Sequence, residues 1–199
     1  MISEATQRWK MIARSAFLTT IPLFCLLAAD PALAATLPPK ANVAVQPGAM
    51  MILADSDYYD TLARLIKNAS QRIDLAMFIF KTRPASDNRP AELVRELVTA
   101  RQRGVKVRVI LEYSGHDQTL NQANQETALA LTNGGVAVFF DSPGRTSHAK
   151  LAVIDRRYCL VGSHNLTQSA LKYNHEFSLL LDNPALAKEI LAYLETILK

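Results

Sequence analysis

A histidine and a lysine, His148 and Lys150, open a segment that goes on to carry Asp155, then Gly162-Ser163-His164-Asn165, then Asn174 and Glu176. These residue types suit cleavage of an anionic ester with a poor leaving group. Such a reaction needs its charge neutralised, a nucleophile supplied and a proton delivered to the departing alkoxide. The Lys150 ammonium and the neutral donors of Ser163 and Asn165 can hold the nonbridging oxygens of a phosphodiester as a fixed electrostatic cradle. The imidazole of His148 can attack phosphorus when neutral, and an identical imidazole, protonated, can serve as the acid. A carboxylate such as Glu176 can fix the tautomer and orientation of a histidine. A metal centre is the competing reading of a segment rich in histidine and carboxylate. The spacing fits no zinc pattern, and a cationic Lys150 among the ligands would repel a divalent ion, so activity without metal or cofactor is expected.

These side chains need elements to bring them together. Leu151 to Ile154 is apolar and β-branched, so His148 and Lys150 should project from one face at the start of a strand. Asp155-Arg156-Arg157 reads as a turn, and Tyr158 to Val161 as a returning strand that delivers Ser163 and Asn165 near its end. Upstream, helical spacing over Tyr58 to Ala69, Ala91 to Arg103 and Gln118 to Thr132 alternates with strand-length apolar runs at Ile73 to Phe80, Val105 to Leu111 and Val136 to Phe140. Asp55 or Ser56 is the expected cap of the first helix, and Gly104 the expected stop of the second. This alternation predicts an α/β layered fold. The polar stretch from Lys81 to Pro90 is predicted to be a surface loop at the carboxyl end of a strand, where substrate contacts often lie.

The chain of 199 residues suits one domain, and 49% apolar with 20% charged residues excludes a disordered or fibrous protein. Residues 1 to 34 read as a cleaved export signal: Arg8, Lys10 and Arg14 precede the apolar Ala16 to Ala29, and Ala32-Leu33-Ala34 supplies the small residues of a cleavage site. The apolar run is shorter than the roughly 20 residues needed to span a bilayer, so no stable membrane insertion is expected. Residues 35 to 50 then form a lead-in and 51 to 199 the folded domain, in a periplasmic or secreted location. Without the signal, 19 basic side chains face 16 acidic ones. That mild excess permits a polyanionic partner without requiring one. Cys159 is then the only cysteine, so no internal disulfide can form.

His148-x-Lys150, followed at the fifth residue by Asp155, resembles the HxKxxxxD signature of the phospholipase D superfamily. Gly162-Ser163-x-Asn165 and Asn174-x-Glu176 are similar to that family's downstream elements, while Ile73 to Met77 and Arg103 to Val109 are similar to its upstream half. Size and layout resemble the small bacterial endonuclease branch, with one motif per chain. The resemblance implies an α/β/α sandwich around a mixed sheet and a phosphodiesterase that works through a phosphohistidine on His148. It implies phosphate binding by Lys150, Ser163 and Asn165, and a histidine supported by Glu176. It also gives Asp155 a catalytic place, although a turn residue bonding its own backbone fits that position equally. The family mechanism uses two histidines, so a homodimer sharing one active site is implied. An acid from His164 or His175 within one chain is the alternative, and His116 is read as a surface residue at the start of a helix. Arg145, Arg156, Arg157 and Lys172, expected near the site, favour a nucleic acid substrate, with Tyr58, Tyr59, Tyr113 and Tyr173 available to stack bases. A phospholipid is the alternative substrate, and a noncatalytic phosphate-binding module the reading from another class.

Overall fold

A computed structural model describes residues 48–142 and 144–198. The predicted export signal and most of the lead-in lie outside the described residues. In chain order the elements are β1 (Met50–Ala54), α1 (Asp57–Asn68), β2 (Arg72–Met77), α2 (Arg89–Gln102), β3 (Lys106–Leu111), α3 (Gln118–Asn133), β4 (Ala137–Phe140), β5 (Lys150–Ile154), β6 (Tyr158–Gly162), α4 (Gln168–Lys172), β7 (Phe177–Asp182) and α5 (Pro184–Ile197). The seven strands form one mixed sheet in the order β1-β7-β6-β5-β2-β3-β4. β2, β3 and β4 run parallel, and every other neighbouring pair is antiparallel.

Four helices start on side chains that accept a backbone N–H of the first turn: Asn88 for α2, Asp117 for α3, Thr167 for α4 and Asn183 for α5. α1 does not. Ser56 is its N-cap but its side chain makes no capping hydrogen bond, and the Asp55 carboxylate is turned instead to the amide of Glu176 at 3.0 Å. Met50, the last residue of the expected lead-in, already belongs to β1.

One face of the sheet presents Ile73, Leu75, Met77, Val107, Val109 and Leu111, and these pack beneath α1, α2 and α3 in the main core. Burying Leu62 and Ile66 of α1 completely contributes about 1.5–3 kcal/mol for each side chain. The other face carries Ala76, Ile110, Val153 and Cys159 under α5 alone, through Ala187 and Leu194. A helix about 10 Å wide covers roughly two strands at 4.8 Å spacing, so among the described residues both flanks of this second face stay open. On the β1 flank Met50, Ile52 and Phe177 are exposed, and on the β4 flank Phe139. Asp74 is 1% exposed in β2, and its charge is met by Arg72 at 2.5 Å and Arg108 at 2.7 Å. Arg108 also reaches Glu195, tying α5 to the sheet. Among the described residues no helix is long and apolar enough to cross a membrane.

Candidate active site

β5 leaves the sheet at its amino end beside the carboxyl ends of β2 and β6, because Met77 pairs with Lys150 while Leu151 pairs with Val161. One step along, Lys150 comes level with Gly162, which pairs with Ser178 in β7. Lys150 is therefore rooted in the sheet and 8% exposed, while His148 stands free of it and exposed. The Lys150 Nζ lies 2.9 Å from the His148 carbonyl oxygen and 2.9 Å from its Nδ1. Burial, with the Lys150 charge added, holds the His148 imidazole below its ordinary pKa and favours the neutral form a nucleophile needs. Burial also lowers Lys150, against which the Glu176 carboxylate acts from across the site. The Phe78 ring, following β2, sits 4.5 Å from the imidazole and 5.0 Å under the ammonium.

The Ser163 hydroxyl donates to Glu176 Oε2 and accepts from the amide of Phe177 at 3.1 Å. Asn174 Nδ2 donates to the other oxygen of Glu176 at 3.1 Å. Asn165 Oδ1 is buried with no hydrogen-bond partner among the described residues. His148, Lys150, Ser163, Asn165 and Glu176 thus lie on the adjoining ends of β5, β6 and β7 or in the segments next to them. Within the chain Glu176 bonds Ser163 and Asn174, and no bond from it to a histidine is formed among the described residues.

Asp155 is not brought to this site. It lies at the opposite end of β5, where it and Arg156 take φ of 52° and 56° in a turn closed by Arg157 N–H on the Ile154 carbonyl. Its carboxylate accepts from the amides of Ser70 at 2.9 Å, Gln71 at 2.8 Å and Arg72 at 3.0 Å, and from the Ser70 hydroxyl. Burial opposes its charge, but these donors outweigh the burial and hold the carboxyl below its ordinary range. The catalytic place expected for Asp155 is corrected to a tie between the β5–β6 turn and the start of β2, because one strand length separates it from His148. Replacing Asp155 with alanine is expected to lower stability by about 2 kcal/mol, read by denaturant titration, while the folded fraction keeps its activity. A loss of turnover without a loss of stability would restore the catalytic role.

Arg156 and Arg157 share this distal end, which corrects their expected place near the site. Arg157 pairs with Asp182, and Arg156 lines a cleft with Arg72 and Lys188. The aromatic ring of Tyr58 is equally unavailable to a substrate, since it is 1% exposed and stacked on His164 at 4.3 Å. His164 is fully buried. Its Nε2 donates to the Asp55 carbonyl at 2.9 Å, which leaves Nδ1 to accept from the Ser178 hydroxyl at 2.7 Å. Burial lowers its pKa, so it is a neutral structural residue.

Glu112 was not legible as part of the site. It directly follows β3, is 1% exposed, and its Oε2 accepts the amide of Ser147, next to His148, at 2.6 Å. Burial raises its pKa, the Ser147 amide opposes that, and the nearby Asp141 charge adds to it. The residue before His148 is therefore tied to the carboxyl end of β3. A charged residue directly after Val109-Ile110-Leu111, at the carboxyl end of a strand, was the available signal. Glutamine keeps a side-chain oxygen that can accept from the Ser147 amide, and alanine does not. Glu112→Gln should hold turnover within a few-fold of the parent and Glu112→Ala should lose about tenfold or more; equal losses in both would show that the Glu112–Ser147 bond does not position His148.

The family described as "Cardiolipin synthase, PLD-like domain" matches residues 62–198. The chain belongs to the phospholipase D superfamily. Its relatives include the polyphosphate kinase of Vibrio cholerae, 30% identical over 141 residues that cover 67% of this chain and 20% of the kinase. The chain thus spans about a fifth of the length of the curated relatives it matches. Among solved structures, the phospholipase D family member Nuc from Salmonella typhimurium superposes with a TM-score of 0.62 at 21% identity, over 74% of this chain and 93% of that one. The phosphatidylserine synthase of Haemophilus influenzae gives 0.60 at 17% identity, over 75% and 36%. These structures share the mixed-sheet α/β fold, so the expected fold class holds. The superfamily consists of phosphoryl-transfer enzymes.

Proposed function

We propose that the chain is an exported phosphodiesterase that hydrolyses phosphodiester bonds without metal, acting on nucleic acid through a phosphohistidine on His148. The observation that carries this reading is the convergence of a neutral, exposed His148 with the partly buried Lys150 ammonium and the Ser163–Glu176 pair. Without substrate, Lys150 donates to His148; a bound phosphate would draw the ammonium onto its oxygens and leave the imidazole lone pair to attack phosphorus. The alkoxide leaves as the P–O bond breaks, taking its proton from a second imidazole. Water then attacks the phosphohistidine and frees His148.

That second imidazole is the partner copy's His148 in this reading. Within the chain His164 is sealed in the core, and His175 points to solvent against Asp55. The exposed Met50, Ile52 and Phe177 lie on one open flank of the sheet, since Met50 and Ile52 pair with Leu181 and Leu179. Phe177 adjoins Glu176, so a twofold contact on this flank would exclude water beside the site. The same apolar flank is what a phospholipid headgroup hydrolase would lay on a membrane, which keeps that substrate as the second reading.

The test is a comparison in excess EDTA of plasmid DNA, phosphatidylcholine and short-chain polyphosphate, with His148→Ala as control. DNA cleavage that survives EDTA and vanishes in the variant is the expected result. Choline release without DNA cleavage would assign the lipid reading, and consumption of polyphosphate alone would move the function toward that of the kinase relatives.

A further inference from the structure

We propose that the open flank of the sheet beside β4 is a second binding groove, one that takes the phosphate backbone of single-stranded nucleic acid led to it from His148 along the β4 edge. The inference rests on the nucleic acid reading of the active site. Arg72, Lys106 and Arg108 share the second sheet face with Ala137 and Phe139, because Arg72 pairs with Lys106 and Arg108 with Ala137. With Arg101 from the end of α2 they line a cleft of about 470 Å³. One buried carboxylate, Asp74, is shared by Arg72 and Arg108, and Glu195 meets Arg108 from the α5 side. Neither Arg101 nor Lys106 has a carboxylate within ion-pair distance among the described residues, and both are exposed. The cleft is therefore cationic in net charge.

The connection to the active site is aromatic. β4 is an edge strand, and Phe139 and Phe140 are 44% and 38% exposed on its two faces. Tyr113 meets Phe140 edge-on with ring centres 6.0 Å apart. The carboxyl end of β4 runs directly into the loop that carries Arg145 and His148. Spaced cations beside Phe139 on one face, with Phe140 and Tyr113 continuing round the β4 edge, suit a flexible polyanion with stackable bases. An anionic lipid would instead need continuous apolar area for its chains, and that lies on the opposite flank, around Met50 and Ile52. Four residues of β4 span roughly 13 Å, so one oligonucleotide of moderate length reaches both the cleft and His148.

Binding should be read by fluorescence anisotropy on the full chain carrying His148→Asn, which prevents turnover. The probes are labelled oligothymidylates of about 16 and about 4 nucleotides. Arg101→Gln with Lys106→Gln should weaken binding of the long probe about tenfold and flatten its log-affinity against log-salt slope by about 1.4. Arg101→Lys with Lys106→Arg should retain both, and the short probe should respond little to either pair. Unchanged affinity and slope for the long probe, or an equal loss for the short one, would overturn the groove. A greater loss on phosphatidylglycerol vesicles than on the long probe would overturn it in favour of a lipid surface. DNA cleavage by the unmodified chain is scored separately. Groove-dependent binding without cleavage would sink the active-site reading alone, and cleavage with groove-independent binding would sink the groove alone.

Discussion

Replacing His148 with alanine or asparagine is expected to cut phosphodiester hydrolysis by about a thousandfold or more while leaving the fold intact. The expectation follows from one contact: among the described residues His148 is the histidine within hydrogen-bond distance of Lys150, while His164 is buried on Ser178 and Asp55 and His175 meets Asp55. Losing a covalent nucleophile removes the reaction path itself, unlike loss of a donor, which costs about two to three powers of ten. Both substitutions sit at an exposed residue outside the strands, so the unfolding free energy should stay within about 0.5 kcal/mol of the parent. The acid limb of kcat/KM gives a second readout. Burial, then the Lys150 charge, lowers the imidazole pKa, so the neutral nucleophile persists to lower pH and the limb should fall below the ordinary imidazole value of 6.5. A limb at or above that value, or substantial turnover in His148→Ala, would assign the attack to another group.

Gly162→Ala is expected to destabilise the protein by about 3 kcal/mol or more, for a reason unconnected with phosphate. A Cβ at Gly162 would collide with the Oγ and Cα of Ser178 and come within 2.5 Å of the Phe177 carbonyl oxygen. The methyl would therefore push β6 from β7 at the point where the Ser178 hydroxyl reaches His164. Ser178→Ala alone removes one buried hydrogen bond and should cost about 1–2 kcal/mol. Combining Gly162→Ala with Ser178→Gly removes the hydroxyl but leaves two backbone collisions, so stability should not recover. Chemical denaturation of the three variants measures this, and a wild-type midpoint for Gly162→Ala would show that the strands can part without cost.

The second result bears on how the Gly-Ser-x-Asn segment is read. In sequence, Gly162, Ser163 and Asn165 look like one functional unit with His164 as a spacer. In the structure Ser163 and Asn165 belong to the site, while Gly162 and His164 lock β6 to β7 and to the β1–α1 junction. Strand alternation alone left the direction of His164 open, because β6 ends at Gly162 and the regular period ends with it. The elements β1, α4, β7 and α5 fell outside the expected set. β1 and β7 sit at one edge of the sheet and show short or broken alternation, and α4 has five residues, too few for a helical period.

What the amino-acid sequence determined by itself was local and chemical. Periodicities of about 3.6 and 2 placed the elements from α1 to β6, and two residue spacings put His148 and Lys150 on one side of a strand start. The types of five side chains, His148, Lys150, Ser163, Asn165 and Glu176, named the chemistry. The tertiary structure decided everything that depends on register between distant strands. It sent Asp155, Arg156 and Arg157 to the far end of β5, brought Glu112 and Phe78 beside His148, and left one helix to cover the second face of a seven-stranded sheet. The physical reason is that side-chain direction repeats along a chain, whereas which strands become neighbours is fixed by the burial of whole faces, a property that no single segment carries.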